Sequence, residues 1–302
     1  MSEPFDAVSA LSGIYLGKIE AGLRDLCESK RGVIPARLLE SMSYSLLEGG
    51  KRLRPALCLA VAERGGVPAE QAMPMASALE FVHTASLIHD DLPCFDDDDL
   101  RRGRPTNHKI FGECLAVLAG LSLMIWAFEH ALSGLVENGI PPERALRAVA
   151  YLCASAGPGG MCGGQTLDTD RESQDSGRDF VYGIAEKKTA ALIRASVVTG
   201  ALLAGASDEI VRRYSEYGEH IGIAFQIVDD ILDATGTREE LGKTPHKDEA
   251  QDKKTFVSAY GLDGAKQRAE HESAKAAEAL SSLFPGGDLL ITLAKQLAHR
   301  SR

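Results

Sequence analysis

Residues 75–99 read MASALEFVHTASLIHDDLPCFDDDD, and this stretch decides the fold class. Met75, Ala78, Leu79 and Val82 recur at three- and four-residue intervals, the spacing that lines apolar side chains along one helical face. The helix predicted over Ala78 to Ile88 runs directly into six aspartates, Asp90, Asp91 and Asp96 to Asp99, with Pro93 among them. A block of like charge is ordinarily a solvated loop. Here it continues an apolar helix, where uncompensated carboxylates repel one another and require cations between them.

The same spacing recurs outward along the chain, at Leu38, Leu39, Met42 and Leu46 and at Ile221, Ala224, Phe225 and Val228. No convincing run of alternating residues predicts a strand. Glycine- and proline-rich punctuation at 32–35, 65–68, 139–142, 157–164, 205–208 and 236–245 leaves helices of about 15 to 25 residues. The fold class expected is therefore all-α, one large helical bundle in a single domain over residues 1–302. The Ala-, Glu- and Lys-rich segment after Gly264 is expected to be a surface helix pair that closes the bundle.

Composition excludes several classes. With 44% hydrophobic and 25% charged residues in 302, the chain is neither disordered nor fibrous. Its 43 acidic against 33 basic residues, a formal charge of −10, argue against a nucleic-acid partner. Small anionic substrates stay possible, because they respond to local charge. The longest uncharged run, Cys114 to Phe128, is shorter than the ~20 residues of a membrane span, so a buried helix and no membrane span are expected. The opening MSEPFDAVSA lacks the pattern of a secretory signal. Cysteines 27, 58, 94, 114, 153 and 162 form no C-x-x-C pair, which predicts small buried thiols in a reducing compartment, and a cytoplasmic location.

A second acidic cluster reads Phe225-Gln226-Ile227-Val228-Asp229-Asp230-Ile231-Leu232-Asp233. At about 100° per residue, Asp229 and Asp233 project within about 40° of each other, with Asp230 alongside. Three acids on an apolar helix are costly unless a cation sits between them. Oxygen-only donors favour hard cations, and Mg2+ takes one or two carboxylates per ion together with phosphate oxygens and water. Two such clusters facing each other would make a polymetal site for a polyphosphate. In the first cluster Pro93 breaks the regular turn. A straight helix sets Asp97 beside Asp90 and an unwound segment sets Asp96 there, and spacing does not choose between them.

Two basic clusters stand against these acids. Gly49-Gly50-Lys51-Arg52-Leu53-Arg54-Pro55 ends one helix, and Arg101-Arg102-Gly103-Arg104-Pro105 follows the first acidic block. Arginine grips phosphate oxygens in pairs and lysine adds a point charge. His83 lies seven residues before Asp90, on the same helical face. Gly242-Lys243-Thr244 looks like the end of a phosphate-binding P-loop, but position 237 is Thr where that motif needs Gly, and no strand precedes it.

Taken together, GGKRLRP, DDLPCFDDDDLRRGRPTNHK, GGQTLD, KKTAAL, FQIVDDILD and ELGKT–HKD resemble, in order, the motifs of trans-isoprenyl diphosphate synthases of the farnesyl/geranylgeranyl type, from about Tyr44 to Gly261. The resemblance implies an all-α isoprenoid synthase fold around a central cavity, commonly a homodimer. It implies metal ligands at Asp90, Asp91 and Asp96 in the first region, and at Asp229 with Asp230 and Asp233 in the second. Lys51, Arg54, His83 and Arg102 match the isopentenyl diphosphate site. Arg101, Lys188, Thr189, Gln226, Lys243 and Lys253 match the groups on the allylic diphosphate, and Gln165 and Asp168 lie near the reacting ends. Mg2+, in the family three ions per site with substrate bound, neutralises the leaving pyrophosphate. The allylic C–O bond ionises, isopentenyl diphosphate adds through its double bond, and proton loss, in the family to the released pyrophosphate, completes a 1′–4 condensation. Thr189 and Gln226 are expected to stabilise the cation by their dipoles.

Product length in such enzymes is set below the first acidic region. Ser86 lies about one turn, ~5.4 Å, beneath Asp90, with Ala85 beside it. Bacterial farnesyl-making relatives tend to carry an aromatic floor at the position of Ala85. Two small residues here favour geranylgeranyl diphosphate, C20, over farnesyl diphosphate, C15. The chain departs from the pattern at Leu121, where Asp is frequent, at Glu186 for His, at His246 for Gly, and at Thr255-Phe256-Val257 for Thr-Tyr-Pro. A terpene cyclase fits poorly, because Asp229-Asp230-Ile231-Leu232-Asp233 lacks the cyclase pattern of a later Ser or Thr and Glu. A non-catalytic modulating subunit usually loses one acidic cluster, and both are intact here.

Overall fold

The computed structural model describes residues 6–170, 177–235 and 254–299. Lys243, His246 and Lys253, singled out above, lie outside the described residues. Helices α1 (Ala7–Ser29), α2 (Ala36–Leu46), α3 (Leu53–Arg64) and α4 (Ala69–Asp90) come first. A short antiparallel hairpin, β1 (Leu100–Arg101) and β2 (Arg104–Pro105), separates them from α5 (Asn107–Phe111), α6 (Glu113–Glu137), α7 (Pro142–Ala156) and α8 (Met161–Thr169). Helix α9 (Arg178–Ile184) continues through a π-helical turn, Ala185–Ala190, into α10 (Ala191–Leu203). Helices α11 (Asp208–Thr235), α12 (Phe256–Ser281) and α13 (Leu289–Leu297) follow. The all-α class holds, and the hairpin is too short for alternation to have signalled it.

These elements pack as two compact units, Leu11–Ala150 with Thr199–Gly205, and Met1–Ala10 with Tyr151–Val198 and Ala206–Arg302. In the unit containing Leu11–Ala150, α4 is the central helix. Seven consecutive residues, Ala76 to Val82, are each no more than 2% exposed. A helix buried around its whole circumference must have partners on several sides, and α3 and α6 pack against it. The ring of Phe81 meets that of Trp126 on α6 at 4.6 Å.

The long apolar helix α6 is not buried all round, as its sequence led us to expect. Ala116, Ala119, Leu123 and Ala127 face inward, whereas Leu118, Leu121, Ile125 and Leu132 are 42–60% exposed. Its 25 residues include an 18-residue window of mean hydropathy 1.7, long and apolar enough by length and composition to cross a membrane. An apolar run cannot by itself tell which of its faces finds a partner.

In the other unit α11 and α12 pack along one another around Ile223, Ile227, Val228, Phe256, Ala265 and Ala269. Helix α12 begins at a capping box, in which Thr255 and Ser258 exchange side-chain and backbone hydrogen bonds. It is broken at Gly261, whose φ of 70° lies in the left-handed region. The segment after Gly264 is more than a surface pair. Leu290, Leu293 and Ala294 on α13 are fully buried, and Glu272 on α12 accepts hydrogen bonds from Tyr182 and His220 inside the core. The cysteines also depart from expectation, since Cys27 and Cys58 are buried but Cys94, Cys114, Cys153 and Cys162 are exposed.

Candidate active site

The first acidic region folds back on the helix that carries it. Helix α4 ends at Asp90, and beyond it the Asp96 amide donates to the Asp90 carbonyl at 2.9 Å. The Asp97 and Asp98 amides donate to the carbonyls of Leu92 and Asp91, both at 3.1 Å. Asp97 itself takes a left-handed φ of 49°. Spacing left Asp96 and Asp97 open as neighbours of Asp90; the unwound turn sets Asp96 there. The far end of the loop is tied down by Thr106, which donates to the Asp98 carbonyl at 2.6 Å, and by a 2.7 Å ion pair of Lys109 with Asp99.

Asp91 is 3% exposed and takes a forked grip from Arg101, whose Nε and Nη2 lie 2.6–2.9 Å from its oxygens. Burial pushes the Asp91 carboxyl up, and the guanidinium pulls against that push. Arg101 ends β1, and the hairpin turns through Arg102 and Gly103, both in the left-handed region that a two-residue type I′ turn requires. The turn lays Arg102 on the Gly49–Gly50 backbone, where its Nη1 donates to the Gly49 carbonyl. A Cβ at Gly50 would stand 2.9 Å from the guanidinium carbon, and the φ of 125° there is one that side chains rarely adopt. Arg54 Nη1 lies 3.4 Å from His83 Nε2. Burial, then the positive charge of Arg54 and Arg102, holds His83 well below the usual imidazole range, which favours its neutral form. The isopentenyl diphosphate candidates Lys51, Arg54, His83 and Arg102 thus belong to the same packed unit as Asp90, Asp91 and Asp96. In this unit Ala85 is fully buried, while half-buried Ser86 donates to the His83 carbonyl at 2.8 Å.

In the other unit a cavity of about 160 Å3 is bordered by Asp168, Lys188, Gln226, Asp229, Asp230 and Lys254. Lys188 bridges to Asp168 at 2.6 Å. Thr189 donates to Gln226 Oε1 at 2.6 Å, and Gln226 Nε2 donates to Asp230 Oδ1 at 2.8 Å. The other Asp230 oxygen accepts the Phe256 amide at 2.7 Å. Asp230 therefore anchors Gln226 and the start of α12, whereas Asp229 stands exposed at the cavity. Asp233 is 3% exposed and does not line it. The three acids do not share one open stripe, because the boundary of burial runs between Asp229 and its neighbours.

The π-helical turn Ala185–Ala190 widens the backbone where Lys188 and Thr189 enter this site, a distortion frequent at functional positions. Gly164 permits α8 to lie against that turn, since a Cβ there would sit 2.1 Å from the Lys188 nitrogen. Beside it, neither polar atom of the buried Gln165 amide has a hydrogen-bond partner among the described residues. Lys254 at the cavity is a residue that motif matching passed over in favour of Lys253.

Both acidic regions are rich in carboxylate oxygens, donors that suit a hard cation. Among the described residues no three acidic, histidine or cysteine side chains converge on a single point. Mg2+ does not require such a cage, because substrate phosphates and waters complete its shell. The donor set therefore fits Mg2+.

Comparison with known proteins places this arrangement in context. The family model for polyprenyl synthetase matches residues 35–282. Geranylgeranyl pyrophosphate synthase, chloroplastic, of Catharanthus roseus is 46% identical over 268 residues, 88% of this chain and 74% of that one. Farnesyl diphosphate synthase of Bacillus subtilis is 44% identical over 267 residues, 88% and 90% of the two chains. The crystal structure of geranyltransferase from Helicobacter pylori, complexed with magnesium and isoprenyl diphosphate, superposes with a TM-score of 0.81 at 31% identity, covering 99% of this chain and 98% of that one.

Proposed function

This chain belongs to the polyprenyl synthetase family and is a short-chain trans-prenyltransferase, and we propose that it extends allylic diphosphates with isopentenyl diphosphate to geranylgeranyl diphosphate, C20. Identity does not separate C20 from C15, because relatives of both kinds are similarly close. The observation that carries the choice is local. Ala85 and Ser86, one turn below Asp90, bring no aromatic ring to the place where a growing tail would meet a floor. Farnesyl diphosphate is the second reading, favoured by the full burial of Ala85, which leaves only Ser86 to border open space. Sizing the dephosphorylated products of the wild type, Ala85→Tyr and Ser86→Phe tests this. C20 from the wild type and shorter chains from either variant are expected. A wild type that stops at C15 would overturn the product length and leave the condensation standing.

In the proposed mechanism Lys51, Arg54, neutral His83 and Arg102 hold isopentenyl diphosphate. Lys188 and Arg101, with Lys243 and Lys253, receive the allylic diphosphate. Mg2+ is the proposed metal: Asp90, Asp91 and Asp96 in one unit, and Asp229 in the other with Asp230 and Asp233 behind it, would be its ligands, and it would supply the charge that neutralises the departing pyrophosphate. Asp91 and Asp168, already paired with Arg101 and Lys188, keep those cations in place before substrate arrives. Such preorganisation is what makes electrostatic stabilisation effective in a dry site. Thr189 and Gln226 direct their dipoles towards the developing allylic cation, and Gln165 and Asp168 border the reacting ends.

A homodimer in the cytoplasm is the proposed state. The exposed stripe of Leu118, Leu121, Ile125 and Leu132 supports it, because contiguous apolar surface of this kind marks an interaction site. Leu121, 49% exposed, belongs to that stripe.

A further inference from the structure

Arg52 sits between two residues assigned above to isopentenyl diphosphate, Lys51 and Arg54, but points the opposite way. It is 3% exposed, with φ 46° and ψ 38°, the left-handed conformation, at the N-terminus of α3. A non-glycine residue is disfavoured in that conformation, so something must hold it. Its guanidinium is clasped on three sides: Nε donates to Glu20 on α1 at 2.7 Å, Nη1 to Glu80 on α4 at 2.6 Å, and Nη2 to the Leu46 carbonyl of α2 at 2.7 Å. Glu80 is about as deeply buried as Arg52, whereas Glu20 is only partly buried, their side chains being 3% and 22% exposed.

We propose that Glu80, acting through Arg52, is a positioning residue for isopentenyl diphosphate. This rests on the reading of Lys51, Arg54, His83 and Arg102 as that substrate's site. The planar fork of arginine fixes Arg52 in angle as well as distance, which a lysine could not do. A fixed Arg52 sets the left-handed turn. The turn in turn presents exposed Lys51 and half-buried Arg54 outward and leaves the Gly49–Gly50 backbone flat for Arg102 to lie on. Glu80 is close enough to favour the charged form of Arg102, which burial opposes. Glu80 further lies one turn before His83 on α4, so the clasp and the histidine move as one body.

The test is steady-state kinetics of the full chain with each substrate varied in turn, for the wild type, Glu80→Gln and Glu20→Gln. Glu80→Gln keeps the shape and one acceptor but removes the charge, and Glu20→Gln does the same at the more exposed arm, where folding is least at risk. We expect KM for isopentenyl diphosphate to rise about tenfold in Glu80→Gln, the scale of one charge-assisted hydrogen bond, with KM for the allylic primer moving far less. Glu20→Gln should shift the same constant in the same direction by less, and Glu80→Asp should partly restore it. A merely structural role would lower Tm or the active fraction and leave both KM values alone. Unchanged KM for isopentenyl diphosphate in both glutamine variants, or equal shifts for the two substrates, would overturn the proposal. A wild type that condenses neither substrate would instead overturn the functional reading, and the proposal with it.

Discussion

The amide of Asp96 donates a 2.9 Å hydrogen bond to the carbonyl of Asp90. This one contact converts a run of six aspartates into two classes. Asp96 returns to Asp90 at the end of α4 and is half-buried, while Asp97 is exposed at the left-handed bend and Asp98 and Asp99 tie down the loop. We expect Asp96→Ala to lower kcat on the order of a hundredfold, the usual cost of removing one preorganised electrostatic group, and Asp97→Ala to have little effect. Equal losses in the two variants, measured at saturating substrates, would contradict the assignment.

Gln226 is held by Thr189 on one side and Asp230 on the other. In Gln226→Glu a carboxylate replaces the amide that donates to Asp230, setting two acids together in a half-buried site. The catalytic rate should fall on the order of a hundredfold, since a neutral dipole aimed at the cation has gone and its neighbour is repelled. An unchanged kcat would remove Gln226 from the mechanism.

His83 is held below the usual imidazole range by burial first, then by Arg54, Arg102, Arg101 and Arg52. The unfolded chain therefore binds a proton at this residue more readily than the folded one, and stability rises with pH wherever that difference operates. The contribution is complete above about pH 6.5 and is lost as pH falls from there towards the depressed native value. His108 and His130 are lowered too, by burial first, and act with the same sign. The measurement is thus a difference: between about pH 7 and about pH 5 the Tm of His83→Gln should fall less than that of the wild type. Parallel curves would show that His83 is not buried neutral.

Leu118 and Ile125 lie one heptad apart on the exposed face of α6. If this stripe is the dimer contact, Ile125→Glu places a charge at its centre, and light scattering after size-exclusion chromatography should report a monomer. A dimer of undiminished stability in that variant would move the interface elsewhere.

The all-α class was legible because Met75, Ala78, Leu79 and Val82 obey helical spacing, although which faces are buried was not. Other features depend on what the pattern does not carry. The return of Asp96 to Asp90 is made by backbone hydrogen bonds, which carry no side-chain spacing to read. The π-helical turn at Ala185–Ala190 has the composition of an ordinary helix. The clasp on Arg52 joins residues 28 and 32 positions away, and the Tyr182–Glu272–His220 contacts join residues 90 and 52 apart. The acids Glu20, Glu80 and Glu272 look like surface charges until their partners are known. Asp229, Asp230 and Asp233 were legible as a cluster, but their division into one exposed and two buried acids follows from the packing of α12 on α11.

The most direct test of the account is incorporation of label from isopentenyl diphosphate by the purified protein, supplied with Mg2+ and the C15 allylic diphosphate. The account predicts a labelled C20 diphosphate, abolished by a chelator and restored by Mg2+. No labelled product from the C15 primer or from the C5 and C10 primers would contradict its central claim.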